Sequence, residues 1–280
     1  MCVVVLAAGE GRRLRPLTER VPKALCPVGN VPLLDRALAR VAGLGLAGPD
    51  DVAVNACYLG GQVVAHVGGR AHLSVEPGSP LGTAGGLARL RDWIAGRAVL
   101  VGNADAYLAD PAAAPGPDVA ALLAGWDGDR VRLLGQPTPD PVAPGTFSGH
   151  RFAGFSLLPW RWVRDLPDDE PDLVRAVWRP AEAAGDLDVV PFTGTFLDTG
   201  TPADYLAANL HATAGGNLLD PTAGVTGRCR RAVVGAGAVV AGEVTDAVVW
   251  PGAVVAGGEH LNRAVRFDHT RTLSVGQDLA

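Results

Sequence analysis

Residues 2–8, Cys-Val-Val-Val-Leu-Ala-Ala, run without a polar interruption and stop at a glycine. A short apolar run rich in β-branched side chains suits a strand covered on both faces, the environment of a parallel sheet. The pattern returns at 51–56 (Asp-Val-Ala-Val-Asn-Ala), at 72–76 (His-Leu-Ser-Val-Glu) and at 97–105 (Arg-Ala-Val-Leu-Val-Gly-Asn-Ala-Asp). Helical periods fall between these runs. Leu34, Leu38, Val41 and Leu44 form one stripe, a second helix is expected from about residue 59, and Leu87, Leu90 and Ile94 mark a third over 83–95 with Thr83 as its N-cap. Strand and helix in alternation predict an α/β fold, a Rossmann-like, mainly parallel mixed sheet flanked by helices. Ligands of such sheets sit at the carboxyl ends of the strands, where Ala-Gly-Glu-Gly-Arg-Arg and Gly-Asn-Ala-Asp both fall.

The middle of the chain is less regular. A proline-rich loop at 137–144 precedes an expected strand at 151–159, and a helix is expected over 171–185 as far as a break at Pro180. Two short strand-like stretches and a helix from Pro202 to about Thr213 follow. After residue 216 the texture changes, and valines recur every six residues, from Val234 to Val240 and from Val249 to Val255. Six-residue repeats separated by small residues predict a short parallel β-helix of two coils. The competing nucleotide fingerprint at Gly235-Ala-Gly237 fails, since Val240 stands where the third glycine belongs. The expected division is therefore 1–216, the main domain, and 217–280, a hexapeptide-repeat extension.

Charge and cysteine usage narrow the function classes. A net charge of −5 with no basic stripe argues against nucleic acid as a partner. The four cysteines, Cys2, Cys26, Cys57 and Cys229, have no metal-ligand spacing and read as small hydrophobes of a reducing compartment. No signal peptide is evident and no apolar run reaches the ~18 residues of a membrane span, so a cytoplasmic protein with no membrane partner is expected. Homo-oligomerisation is left open.

Residues 6–18, Leu-Ala-Ala-Gly-Glu-Gly-Arg-Arg-Leu-Arg-Pro-Leu-Thr, join the first strand to a loop that suits phosphate. Gly9 and Gly11 allow backbone amides to approach an anion closely, and Arg12, Arg13 and Arg15 supply planar guanidinium groups. Neither a dinucleotide fingerprint nor a Walker loop fits, because Leu14 replaces the third glycine and no Gly-Lys-Ser/Thr occurs. Downstream, between Pro22 and Ala24, stands Lys23, the sole lysine in a chain whose other cations are arginine. A lysine offers a compact charge with rotatable donors, which suits a crowded reacting phosphorus better than a wide fork does. Asp105 and Asp198 are either turn aspartates or carboxylates for Mg²⁺, which is commonly held by one or two carboxylates together with substrate phosphates.

The stretch 6–35 resembles the opening signature of the sugar-1-phosphate nucleotidyltransferases, LAAGxGTRLRPLTxxxPKxLxPVxxxPLL. Pro80–Leu87 (PLGTAGGL) is similar to the family's nucleotide segment, Gly102–Asp105 to its metal-binding NGD, 196–209 (FLDTGTPADYLAAN) to its second metal segment, and the valine hexapeptides to the left-handed parallel β-helix appended to many members. The resemblance implies Mg²⁺-dependent transfer of a nucleotidyl group from an NTP to a sugar 1-phosphate, with pyrophosphate released. It implies that Gly9, Gly11 and Arg13 hold the nucleotide phosphates and that Lys23 offsets charge at the α-phosphorus. Asp105 and Asp198 are then the metal ligands, while Leu6, Ala8, Gly82 and Thr83 line the nucleoside. Departures from the pattern are Arg12 for threonine, Ala104 for glycine and Phe196 for tryptophan. A second lysine, used by some members near the sugar phosphate, is absent, so Arg151 or Arg175 would have to serve.

Glu76 occupies the place where thymidylyl and uridylyl members show glutamine. A carboxylate only accepts hydrogen bonds and guanine offers two adjacent donors, so Glu76 favours GTP, unless it is a strand-end glutamate facing solvent. Resemblance further places the sugar pocket near 148–159, which contains Gly154, and near the acidic run 168–172, with Glu182 or Glu170 as candidates for sugar hydroxyls. The alternatives are a uridylyl- or thymidylyltransferase acting on a hexose or amino-sugar 1-phosphate, and a non-catalytic regulatory homologue that binds nucleotide sugars. Retention of Arg13, Lys23, Asp105 and Asp198 together argues against the last.

Overall fold

The structure, a computed structural model, describes residues 1–143, 145–167 and 171–276. The acidic residues 168–170, including Glu170, lie outside the described residues. By contacts the chain divides into two units. The first comprises Met1–Glu10, Val21–Ala24 and Leu34–Phe196, and the second Gly11–Arg20, Leu25–Leu33 and Leu197–Ala280. This division differs from the one expected at residue 217: two N-terminal segments and the stretch from Leu197 group with the C-terminal part.

The first unit is built on an eight-stranded mixed sheet. Across it run Leu187–Pro191, Val131–Pro137, His150–Leu158, Val99–Asn103, Cys2–Leu6, Val52–Ala56 and His72–Val75, with Thr146–Phe147 pairing beside His150. The last four strands of that order are mutually parallel. His150–Leu158 runs antiparallel to its neighbours on both sides. Cys2–Leu6 lies at the centre, and all of Cys2, Val3, Val4 and Val5 are fully buried, as the uninterrupted apolar run requires. The chain leaves this strand to pair with Val52–Ala56 on one side and later returns to Val99–Asn103 on the other. Strand order therefore reverses beside Leu6, the position at which such sheets open a ligand crevice.

Two helical expectations change. The stretch 83–95 forms two pieces, Gly82–Arg89 and Arg91–Ile94, although the apolar stripe holds, with Leu87, Leu90 and Ile94 all buried. Thr83 is not the N-cap. The carbonyl of Pro171 accepts from the amides of Thr83 (2.7 Å) and Ala84 (3.3 Å), while Thr83 Oγ1 accepts from the amide of Leu173 at 3.0 Å. The helix also does not break at Pro180. A π turn over Val174–Trp178 widens the backbone, and Arg179–Ala183 continues with Pro180 in its first turn, where a missing N–H is tolerated.

In the second unit, residues from Leu218 onward wind into a short parallel β-helix. Its three faces are stacked strands, and the first strand of each coil aligns Leu218 with Val233 and Val233 with Val248, a step of 15 residues. Three coils form where two were expected, closed by Thr272–Ser274 running antiparallel to Ala264–Arg266. Val234, Val240, Val249 and Val255 point into a core shared with Ala238, Val244 and Ala253, side chains small enough for so narrow a prism. No described helix is long and apolar enough to cross a membrane.

Candidate active site

A cleft of ≈ 170 Å³ opens in the first unit at the carboxyl ends of the two central strands. One wall is Leu6, Ala7, Ala8 and Gly9; the opposite wall is Pro80, Gly82 and Thr83; Asn103, Ala104 and Asp105 close a third side. Lys23, Ala24 and Asn55 complete the lining. The amide of Ala104 donates to Leu6 O at 3.0 Å, so the loops leaving the two strands are locked together. Seven expected site residues thus share one cavity: Leu6, Ala8, Gly9, Gly82, Thr83, Lys23 and Asp105.

Within that cavity Lys23 Nζ donates to Asp105 Oδ2 at 2.6 Å. The lysine is buried, and its charge is matched by a carboxylate that is partly open to solvent. The proline before it explains how a cation is held at a buried position: Lys23 begins a single 3₁₀ turn, Lys23–Leu25, directly after Pro22. Asp105 offers a hard oxygen at the mouth of the cleft, which fits one ligand of a hydrated Mg²⁺.

Gly82 is the residue that shapes the wall it shares with Pro80 and Thr83. Its φ is +80°, and a β-carbon there would stand 2.2 Å from Pro171 O. Gly86, one turn on, has no such φ but faces the Asn55 and Glu76 side chains, leaving no room for a methyl group.

Glu76 does not line the cleft. It is buried behind the wall, where Oε1 accepts from Asn55 Nδ2 at 2.7 Å and Oε2 from the amide of Leu81 at 2.8 Å. The expectation that it faces solvent is therefore corrected by its burial, and the expected contact with a guanine finds no support in the cleft lining, from which Glu76 is absent. Asn55, unremarked in the sequence, is the residue that reaches the cavity, and its Oδ1 accepts from the amide of Ala7 at 2.7 Å. Its only signal was a polar side chain inside an otherwise apolar strand.

The two sugar-pocket residues also lie away from the described lining. Gly154 sits in a strand at φ +81°, with a hypothetical β-carbon 2.4 Å from that of Ala106, so its glycine answers a close approach of backbones. Glu182 pairs with Arg179 at 2.5 Å, three residues away in the same helix. Arg151 lies over the Phe196 ring at 5.3 Å.

Gly11, Arg13 and Asp198 belong to the second unit. Gly11 adopts the left-handed conformation, φ 62°, and precedes a 3₁₀ turn over Arg12–Leu14. Arg13 Nη2 stands 3.6 Å from Asp198 Oδ2, an exposed pair. Gly200 lies against that arginine: a β-carbon there would be 2.7 Å from Nη2. The same unit secures the segment around Pro27. Tyr205 donates its hydroxyl hydrogen to Pro27 O and accepts from Trp250 Nε1 at 2.9 Å, while Asn209 Oδ1 accepts from the amide of Gly29 at 3.0 Å. The Asp-Tyr-Leu-Ala-Ala-Asn run thus anchors a loop through its tyrosine and its last asparagine.

Residues 3–138 match the MobA-like NTP transferase domain. Among curated relatives, the N-acetylmuramate alpha-1-phosphate uridylyltransferase of Neisseria meningitidis serogroup B is 39% identical over 111 residues, 38% of this chain and 47% of that protein. The mannose-1-phosphate guanylyltransferase of Mycobacterium tuberculosis is 32% identical over 125 residues, 43% of this chain and 32% of that protein. The chain thus spans about half the length, or less, of these relatives. A solved structure of a putative glucose-1-phosphate thymidylyltransferase from Bacillus anthracis superposes with a TM-score of 0.63 at 20% identity, covering 76% of this chain and 95% of that one, a likeness of fold.

Proposed function

We propose that this chain, which belongs to the MobA-like NTP transferase family that includes the sugar-1-phosphate nucleotidyltransferases, transfers a nucleotidyl group from an NTP to a sugar 1-phosphate. An oxygen of the sugar phosphate attacks the α-phosphorus, the bond to the β-phosphate oxygen breaks, and pyrophosphate leaves. Such a reaction needs positioning and charge neutralisation more than proton transfer. The observation that carries the reading is the cleft itself, where the sole lysine and Asp105 face the backbone of Ala7–Gly9 and the Gly82 wall.

In this reading the strand-end loop and Gly82–Thr83 hold the nucleoside, and Lys23 supplies positive charge to the phosphate under attack. Arg13, with Gly11, binds phosphate oxygens of the nucleotide. Asp105 and Asp198 are the proposed magnesium ligands, both with side chains exposed enough to offer an oxygen. When bound, the metal would neutralise phosphate charge. The named uridylyl and guanylyl relatives make UTP and GTP the two nucleotides to separate; the GTP preference inferred from Glu76 loses its support, since that carboxylate is buried and outside the cleft lining.

The test is pyrophosphate release, with each of the common nucleoside triphosphates set against a panel of sugar 1-phosphates that includes mannose 1-phosphate and N-acetylmuramate 1-phosphate. Release requiring both substrates is expected. Silence across the whole panel, with folded protein and Mg²⁺ present, would overturn the reading in favour of a nucleotide-sugar-binding regulator.

A further inference from the structure

Behind the cleft, three hydrogen bonds run in series from one wall to the other. The amide of Ala7 donates to Asn55 Oδ1 at 2.7 Å, Asn55 Nδ2 donates to Glu76 Oε1 at 2.7 Å, and the amide of Leu81 donates to Glu76 Oε2 at 2.8 Å. Asn55 is 2% exposed and Glu76 3%, so losing any of these partners would leave a buried polar group unsatisfied. Ala7 belongs to the strand-end wall and Leu81 lies between Pro80 and Gly82 of the opposite wall. The relay is tightly seated: a β-carbon on Gly86 would be 2.7 Å from Asn55 Nδ2 and 3.2 Å from Glu76 Oε1.

Both ends of the relay are backbone N–H groups, which can only donate. The two side chains between them must therefore present an acceptor to each end and one donor–acceptor contact to each other. One amide and one carboxylate satisfy this. Two amides force a donor against a donor somewhere in the series, and two carboxylates place acceptor against acceptor. Asn55 with Glu76 is one solution; exchanging the two functional groups, Asn55→Asp together with Glu76→Gln, is the other. In the second solution the introduced aspartate would accept from the amide of Ala7 and from the introduced glutamine, whose oxygen would accept from the amide of Leu81.

We propose that Asn55 and Glu76 are positioning residues that fix the separation of the two cleft walls, and so set nucleotide affinity, without Glu76 reading the base. This rests on the nucleotidyltransferase reading of the cleft and adds the origin of its preorganisation. A carboxylate that contacted guanine directly would control the choice between bases. A relay that spaces the walls controls affinity for every nucleotide alike.

The experiment is a double-mutant cycle of Glu76→Gln, Asn55→Asp and the two combined, read by steady-state kinetics with UTP and GTP and by thermal melting. Each single variant is expected to raise the KM for nucleotide by about tenfold or more, with a smaller change in kcat, and to lower Tm. The ratio of kcat/KM for the two nucleotides should stay near the wild-type value. The combined variant should melt above both single variants and recover most of the lost affinity. If it melts no higher than the weaker single variant, the relay is overturned. A tenfold or greater change of the UTP to GTP ratio in Glu76→Gln also overturns it, since the side chain then reads the base. Should either single variant fail to fold, a folded double variant supports the relay and an unfolded one sinks it. If wild-type protein turns over no substrate pair, the reaction reading fails separately, and the melting temperatures alone decide the relay.

Discussion

Lys23 Nζ and Asp105 Oδ2 are 2.6 Å apart, the lysine side chain 9% exposed and the aspartate 38%. The buried member is the cation and the accessible one the carboxylate, so the pair presents an oxygen outward while its charge is balanced from within. That arrangement makes the lysine the organiser of its corner of the cleft as well as a candidate for direct contact with phosphate.

Replacing Lys23 with alanine is expected to lower kcat by about 10²–10³-fold, the scale of losing one preorganised charge donor at a reacting centre. Arginine at this position should also be impaired, since a planar fork is wider than an ammonium group in a site with this little exposure. Single-turnover rates with a circular-dichroism check of folding measure both; wild-type rates in Lys23→Arg would show that charge alone suffices.

Divalent metal should be indispensable. Treatment with EDTA is expected to abolish pyrophosphate release, and Mg²⁺ to restore it. In Asp105→Asn the Mg²⁺ concentration for half-maximal rate should rise by about tenfold or more, because a neutral amide is a weaker ligand for a hard cation. An unchanged magnesium titration would remove Asp105 from the metal site.

Gly200→Ala separates the placement of Arg13 from the stability of the fold. The added methyl group would meet Arg13 Nη2 at 2.7 Å and Asp198 Oδ1 at 3.1 Å, the mobile end of one exposed side chain and its partner. Tm should therefore hold while kcat/KM falls by about tenfold, about 1.4 kcal/mol of transition-state stabilisation. A variant of normal kcat/KM would show that the position of Arg13 does not matter.

Gly154→Ala should act on stability. Both its φ of +81° and the 2.4 Å approach to Ala106 oppose a side chain, so a loss of about 1–3 kcal/mol is expected in denaturant unfolding. A selective rise in the KM for sugar phosphate, with unfolding unchanged, would instead return Gly154 to the sugar pocket.

Alkaline pH should destabilise the fold through Tyr205. The residue is fully buried, and burial is the main reason its phenol is held well above the ordinary value. The folded protein then keeps a proton that the unfolded chain gives up near pH 10, so stability is complete below about pH 10 and falls as pH rises beyond it. Burial also pushes the Cys2 thiol up to about 11 and raises Tyr107, and both act in the same direction. Tyr205→Phe should cost about 1–3 kcal/mol at neutral pH, by stranding Pro27 O and Trp250 Nε1, and should flatten but not remove the alkaline decline. Guanidinium unfolding across pH 7–11 (roughly the range set by these groups) measures both effects.

Much of the site could be read from residue order. Gly9, Lys23, Gly82 and Asp105 belong to segments whose residue types and order carry their chemistry, and the structure brings these four to one cleft. Asn55 carries no such signal because its role depends on the Ala7 amide and Glu76 side chain beside it, which spacing along the chain does not encode. The surroundings of Glu76 are illegible for the same reason. A lone carboxylate at a strand end looks available for a ligand until the amide of Leu81 and the Asn55 side chain are seen to occupy it.

The chain's own order of residues determined the parallel sheet, the valine-lined coils and the glycine- and arginine-rich loop after the first strand, because each follows from local periodicity and from what glycine, proline and β-branched side chains permit. Tertiary structure alone decided the rest. It paired Lys23 with Asp105 across 82 positions of sequence, made Gly154 a matter of packing against Ala106, and turned Glu76 inward. Hydrogen-bond satisfaction in a buried space is a property of neighbours in three dimensions, and a side chain's function is what remains after its neighbours have been served.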